Sequence, residues 1–150
     1  MCGIAGIFNS GLDHSTQLQA YERMINYMHH RGPDDKGYEG FDICILGQTR
    51  LSIIDLSVKA RQPFLDQKNK ISIAVNGEIY NYRNLREKLL AKGYKFQSDS
   101  DSEVVLHGYK EWKEKLFPML QGMFAISIYD GNNESLCLCR DRLGIKPLYF

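Results

Sequence analysis

Apolar residues recur along the chain in two rhythms, short runs and stripes at helical spacing. The run Gly3-Ile4-Ala5-Gly6-Ile7-Phe8 reads as a buried strand and closes in a turn at Asn9-Ser10-Gly11. Leu18, Tyr21, Met24, Ile25 and Met28 then repeat at helical spacing, which predicts an amphipathic helix with a core-facing stripe. Pro33 disfavours helix for the residue before it and Gly32 loosens the backbone, so the helix ends near His29. Ile43-Cys44-Ile45-Leu46-Gly47 is a second strand, and residues 50–55 follow as a further extended piece or a structured loop. Residues 60–70 are polar, contain Pro63 and read as a loop. Ile71-Ser72-Ile73-Ala74-Val75 predicts a third strand running into Asn76-Gly77, a dipeptide whose tolerance of positive φ marks a tight turn.

Leu85, Leu89 and Leu90 give the next helix its apolar face, Gly93 suits its end, and Tyr94-Lys95-Phe96 reads as a brief strand. The acidic and hydroxylated residues 98–103 stand where N-caps belong, ahead of a third helix bearing Val105, Leu106, Tyr109 and Trp112. Two largely apolar strands, at 123–129 and 136–139, are joined through the hairpin signal Asp130-Gly131-Asn132-Asn133. Residues 140–150 leave that hairpin and stop as a new strand begins. Apolar strands of this kind are covered on both faces, as in a sandwich of layers.

Composition narrows the function classes. A chain of 150 residues, 43% hydrophobic and 25% charged, suits one globular domain with a real core. A net charge of +1 without a dense Lys/Arg block gives no electrostatic case for nucleic acid or an anionic membrane as partner. No apolar run reaches transmembrane length and the start lacks the regions of a signal peptide, so a cytoplasmic location is expected. There Cys2, Cys44, Cys137 and Cys139 are expected to be reduced. Cys137 and Cys139 share one strand face but lack a second ligand pair for zinc, and the adjacent His29 and His30 do not converge on one ion. No metal site is expected.

Cys2 is the candidate nucleophile. If Met1 is removed, its thiol and a free α-amine sit on the same carbon, and an amine of pKa about 7.7 to 8.0 can take the proton of a thiol of pKa about 8.5. The alternative is a small buried thiol beside a start methionine. Arg50 is either a solvated charge at a strand end or a clamp that binds a carboxylate through two parallel hydrogen bonds. Asn76-Gly77 is either a plain hairpin turn or, with an asparagine amide and a glycine N–H held together, a two-donor pocket for an oxyanion. Asp101 is either a helix cap or a carboxylate facing a ligand's ammonium.

Taken together, seven blocks closely resemble the glutaminase domain of glutamine-hydrolysing asparagine synthetases. They are Met1-Cys2-Gly3-Ile4-Ala5-Gly6, His30-Arg31-Gly32-Pro33-Asp34, Arg50-Leu51-Ser52-Ile53-Ile54-Asp55, Asn76-Gly77-Glu78-Ile79-Tyr80-Asn81, Ser100-Asp101-Ser102-Glu103, Gln121-Gly122-Met123-Phe124-Ala125 and Arg140-Asp141-Arg142-Leu143-Gly144-Ile145-Lys146-Pro147-Leu148-Tyr149. That family lies among the class II glutamine amidotransferases, within the N-terminal-nucleophile hydrolases. The resemblance implies an α+β fold, a four-layer αββα sandwich with two stacked, mainly antiparallel sheets. It implies Cys2 as nucleophile with its own amine as base, and the Asn76 amide and Gly77 N–H as oxyanion hole. It further implies Arg50 on the glutamine α-carboxylate, groups of Leu51, Ser52, Ile53 and Ile54 lining the pocket, and Glu78 and Asp101 at the α-ammonium end.

The implied activity is hydrolysis of L-glutamine to L-glutamate and ammonia, without metal or cofactor. In the family the ammonia goes to a C-terminal synthetase domain that uses ATP and Mg²⁺ to amidate aspartate, and that domain's Ser-Gly-Gly-x-Asp-Ser loop is absent from these residues. The chain is therefore expected to be an incomplete glutaminase domain over residues 1–150, ending before the strands that close its sheets. Its expected partners are glutamine and the synthetase domain, and a homodimer is left open. Two other readings remain: the glutaminase half of an amidotransferase with another carboxylate acceptor, and a non-catalytic glutamine-binding fragment.

Overall fold

The computed structural model describes residues 2–150. Met1, whose removal the expected role of Cys2 requires, lies outside the described residues. The first sheet has the order β1 (Gly3–Phe8), β3 (Cys44–Arg50), β2 (Asp35–Gly40), all antiparallel. The second has the order β4 (Phe64–Asp66), β5 (Ile71–Ile79), β6 (Gly122–Asp130), β7 (Ser135–Arg140), also antiparallel.

Side-chain alternation assigns each strand face to a layer. Ala5, Ile7 and Ile45 pack under α1 (His14–Tyr27) with Tyr21 and Ile25, while Ile4, Phe8, Cys44 and Leu46 face the second sheet and meet Ala74 and Tyr129. On its other face the second sheet presents Ile73, Val75, Ile126 and Ile128 to α2 (Tyr82–Ala91) and α3 (Glu103–Trp112). Leu85, Leu89, Val104 and Val105 are buried there, and each such side chain contributes about 1.5–3 kcal/mol of burial. The order helix, sheet, sheet, helices is the four-layer sandwich that the resemblance implies. Asp13 starts α1 by accepting from the Thr16 N–H at 3.0 Å.

Several local expectations change. β2 and β4 were not legible in the pattern: β2 is an edge strand of alternating half-buried and exposed residues, rich in charge and glycine, and β4 is three residues within the expected 60–70 loop. Residues 94–96 form no strand, and neither do residues 147–150. Asn76-Gly77 is not a turn, because β5 runs through it to Ile79 in continuous register with β6. The expected hairpin of β6 and β7 is present, with Cys137 and Cys139 packed against the outer core.

Gly77 explains how a strand can pass there. Its φ is 150°, Gly122 across the ladder has φ 156°, and the two flank the Glu78–Met123 pair. A Cβ on Gly77 would strike the Met123 carbonyl oxygen, and one on Gly122 would strike that of Glu78.

Candidate active site

The surroundings of Cys2 are built by the end of β3. Gly3 pairs with Thr49, which brings Cys2 level with Arg50 and Leu51. The Leu51 N–H donates to the Cys2 Sγ at 3.4 Å, and the Sγ lies 3.7 Å from the Leu51 carbonyl oxygen. The residues 31–34 fix this corner from outside. Arg31 donates through Nε to the Cys2 carbonyl oxygen at 3.0 Å, Pro33 bridges to Arg50, and Asp34 accepts the Ser52 N–H at 2.8 Å.

Arg50 is 8% exposed, and its guanidinium holds the loop that follows its own strand. Nη1 donates to the Ser57 carbonyl at 3.1 Å and Nη2 to that of Asp55. Asp55 then ties the loop to its neighbour: one carboxylate oxygen accepts the Ser57 N–H at 2.7 Å, the other the Asp99 N–H at 2.8 Å. These bonds hold the Asp55 carboxyl below its ordinary pKa, the Ser57 contacts contributing most.

β5 supplies the floor. In an antiparallel ladder successive residues point their backbone groups to opposite sides. Phe124, opposite Gly77, spends its N–H and C=O on Asp141, toward β7. On the other edge of β5 the Val75 N–H donates to the Gln62 Oε1 at 2.7 Å and the Ile79 N–H to the Asp101 Oδ2 at 2.7 Å. The Gly77 N–H falls between these two, on the same edge, where the cavity lies. The Asn76 side chain is buried, and its Oδ1 has no hydrogen-bond partner among the described residues.

Asp101 is 5% exposed and does not cap α3: besides the Ile79 N–H it accepts from its neighbour Ser102 Oγ at 3.3 Å. Burial, reinforced by the charge of Glu78, pushes its carboxyl above the ordinary pKa, and the bonds from Ile79 and Ser102 offset this only in part.

All ten residues singled out in the sequence line one cavity of about 440 Å³: Cys2, Arg50, Leu51, Ser52, Ile53, Ile54, Asn76, Gly77, Glu78 and Asp101. They come from three strand ends and two loops, up to 99 positions apart in the chain. A sequence profile of the glutamine amidotransferase domain matches residues 1–150, the full length. The chain belongs to this family.

Relatives of this glutamine amidotransferase domain include asparagine synthetase [glutamine-hydrolyzing] 1 of Bacillus subtilis, 43% identical over 152 residues covering 100% of this chain and 24% of that protein. Asparagine synthetase B [glutamine-hydrolyzing] of Escherichia coli is 41% identical over 149 residues, 99% of this chain and 26% of that one. The chain thus spans about a quarter of the length of these curated relatives. Among solved structures, glutamine phosphoribosylpyrophosphate amidotransferase of B. subtilis superposes with a TM-score of 0.76 at 20% identity, over 96% of this chain and 38% of that one. At that identity the match speaks for the fold, and it supports the layered α+β sandwich.

The amidotransferase domain also uses residues to which pattern reading gave no role. Arg31 and Asp34 brace Cys2 and Ser52; Gln62 is buried and caps Val75; Asp141 gathers the N–H groups of Phe124, Ile145 and Lys146 and so sets the latter two into the cavity wall. Burial raises the Asp141 carboxyl, but those backbone donors outweigh it and leave the pKa below the ordinary value. For Arg31, Asp34 and Asp141 the available signal was two of the quoted blocks, His30 to Asp34 and Arg140 to Tyr149; Gln62 lies in none of them. Among the described residues no group of three or more His, Cys, Asp or Glu could hold a metal, and no helix is long and apolar enough to cross a membrane.

Proposed function

We propose that this domain hydrolyses L-glutamine to L-glutamate and ammonia through a thioester on Cys2, and that the ammonia serves a synthetase domain that amidates aspartate in the cytoplasm. The convergence of Cys2, Arg50, Asn76, Gly77 and Asp101 on one cavity carries this reading. The α-amine of an N-terminal Cys2 takes the thiol proton, and the thiolate sulfur forms a bond to the side-chain amide carbon of glutamine. The carbonyl π electrons move to oxygen, where the Asn76 amide and the Gly77 N–H donate to the oxyanion. Collapse breaks the C–N bond, the α-ammonium returns its proton to the leaving ammonia, and water then cleaves the thioester. This half-reaction uses no metal or cofactor; ATP and Mg²⁺ belong to the synthetase domain. Arg50 and Asp101, with Glu78, give the two ends of the amino acid opposite partners.

The test is intact-mass analysis after incubation with 6-diazo-5-oxo-norleucine, a reactive glutamine mimic, on protein whose N-terminus has been sequenced. One adduct on N-terminal Cys2, suppressed by glutamine, is expected. A free N-terminal Cys2 that gains no adduct overturns the reading in favour of a glutamine-binding or purely structural module.

Two further outcomes follow from the head-group contacts. Arg50→Lys keeps the charge and loses the fork, so the KM for glutamine should rise about tenfold or more with a smaller change in kcat; equal KM values would remove Arg50 from the carboxylate. Only ionised Asp101 attracts the ammonium, and its pKa is raised. Glutamine affinity therefore declines as pH falls through that pKa, at a higher pH than an ordinary aspartate's about 3.9 would give. Asp101→Asn should bind more weakly at neutral pH and lack this acid limb in a titration of KM against pH.

A further inference from the structure

The walls of the candidate site are shared with a second cavity. Along residues 59–63, Ala60 and Gln62 line the site, whereas Lys59, Arg61 and Pro63 line a separate space of about 610 Å³. The division repeats along residues 97–103: Ser100, Asp101 and Ser102 line the site, Gln97 and Glu103 the second cavity. Phe64 and Leu106 provide its apolar part.

Charge distinguishes the two spaces. The cations of the second cavity are Lys59, Arg61, Lys95 and Lys110, its carboxylates Asp66 and Glu103. Both carboxylates are engaged. Asp66 pairs with Lys110 and accepts the Asn69 N–H at 3.0 Å; Glu103 accepts the N–H groups of Gln97 and Ser98, each at 2.8 Å, and pairs with His107. Arg61 pairs with Asp35 at 2.6 Å. Lys59 and Lys95 are exposed, line this cavity and have no ion-pair partner among the described residues; Lys59 begins the first shared segment and Lys95 lies two residues before the second. The glutamine cavity, by contrast, has Arg50 and Lys146 against Asp55, Glu78 and Asp101.

We infer that the second cavity binds a small dianion of the phosphate or dicarboxylate kind between Lys59 and Lys95, and that its occupancy strengthens glutamine binding next door. Lys59 and Lys95, the two lining cations outside any ion pair among the described residues, bring two positive charges to meet a dianion. An anion held by both lysines ties segment 59–63 to segment 94–97. The second tether has a hydrogen-bonded continuation: Glu103 fixes Ser98, the Ser98 Oγ accepts the Ser100 N–H, and the Ser100 Oγ accepts the Ser102 N–H, beside Asp101. Two walls held in place cost the glutamine complex less ordering. Anion binding stands on this cavity alone, whereas the coupling rests on the glutamine reading above.

The experiment is calorimetric titration of the whole chain carrying Cys2→Ala, which binds without turnover, with inorganic phosphate and separately with succinate. Potassium chloride holds the ionic strength constant. Saturable binding of one dianion is expected, weakened about tenfold or more in Lys59→Gln/Lys95→Gln, and the preferred probe tells phosphate from dicarboxylate. With the dianion saturating, glutamine affinity should rise about twofold or more, with no such rise in the double variant. Absence of saturable binding by either probe, or equal binding by the double variant, overturns the site. Glutamine affinity that ignores the bound dianion overturns the coupling. A chain that binds the dianion but never glutamine disproves the proposed function while leaving the anion site standing.

Discussion

Cys2→Ala is expected to lower glutamine turnover by about a millionfold, the scale of loss when a hydrolase loses its nucleophile, while glutamine still binds. The carboxylate and ammonium contacts proposed for Arg50, Glu78 and Asp101 do not involve the sulfur, so calorimetry should give a glutamine affinity close to that of the parent. The companion variant places one glycine ahead of Cys2. It keeps the thiol and converts the α-amine into a peptide nitrogen, which cannot take a proton near neutral pH. Its turnover should fall nearly as far as that of Cys2→Ala, and its labelling by the diazo mimic should slow in step. Full activity in the extended chain would show that some other group serves as base.

Asn76→Ala separates chemistry from stability. Loss of one oxyanion donor should reduce kcat by about 10²–10³-fold, equivalent to about 2.7–4 kcal/mol, with little change in KM, because the donor strengthens its bond only as charge develops on the oxygen. The same side chain is buried with an unpartnered Oδ1, a polar atom that the folded state holds away from water. Its removal should leave the melting temperature unchanged or raised. Parallel losses of kcat and thermal stability would instead make Asn76 a structural residue of β5.

The periodic elements were legible because burial is periodic. The stripe from Leu18 to Met28 became α1, and the apolar runs became β1, β3, β5, β6 and β7, since each must cover a face of a layer. β2 escaped because no apolar face marks it: Asp35, Lys36 and Glu39 interrupt the pattern, and none of its residues is fully buried. Asn76-Gly77 was misread locally for a related reason. The dipeptide's tolerance of positive φ is real, but a nine-residue strand paired throughout with β6 uses it at Gly77 alone, without reversing the chain.

The candidate site was legible in residue types, and its members do share one cavity. What the pattern could not give was the support behind them. Asp34, Asp55 and Asp141 act through backbone N–H groups that become neighbours only once the loops have folded, and no spacing rule encodes that.

The paired glycines of β5 and β6 bear on how such a domain can diversify over generations. Gly77 and Gly122 each bar any side chain because the opposing strand's carbonyl already fills the space, so neither can be replaced without moving the other strand. Variation that retains this fold is thereby steered away from the ladder behind the cavity floor. Exposed residues such as Leu56, Val58 and Leu143 lie outside that constraint. A lineage can then alter its exposed surface while the ladder behind the cavity stays fixed.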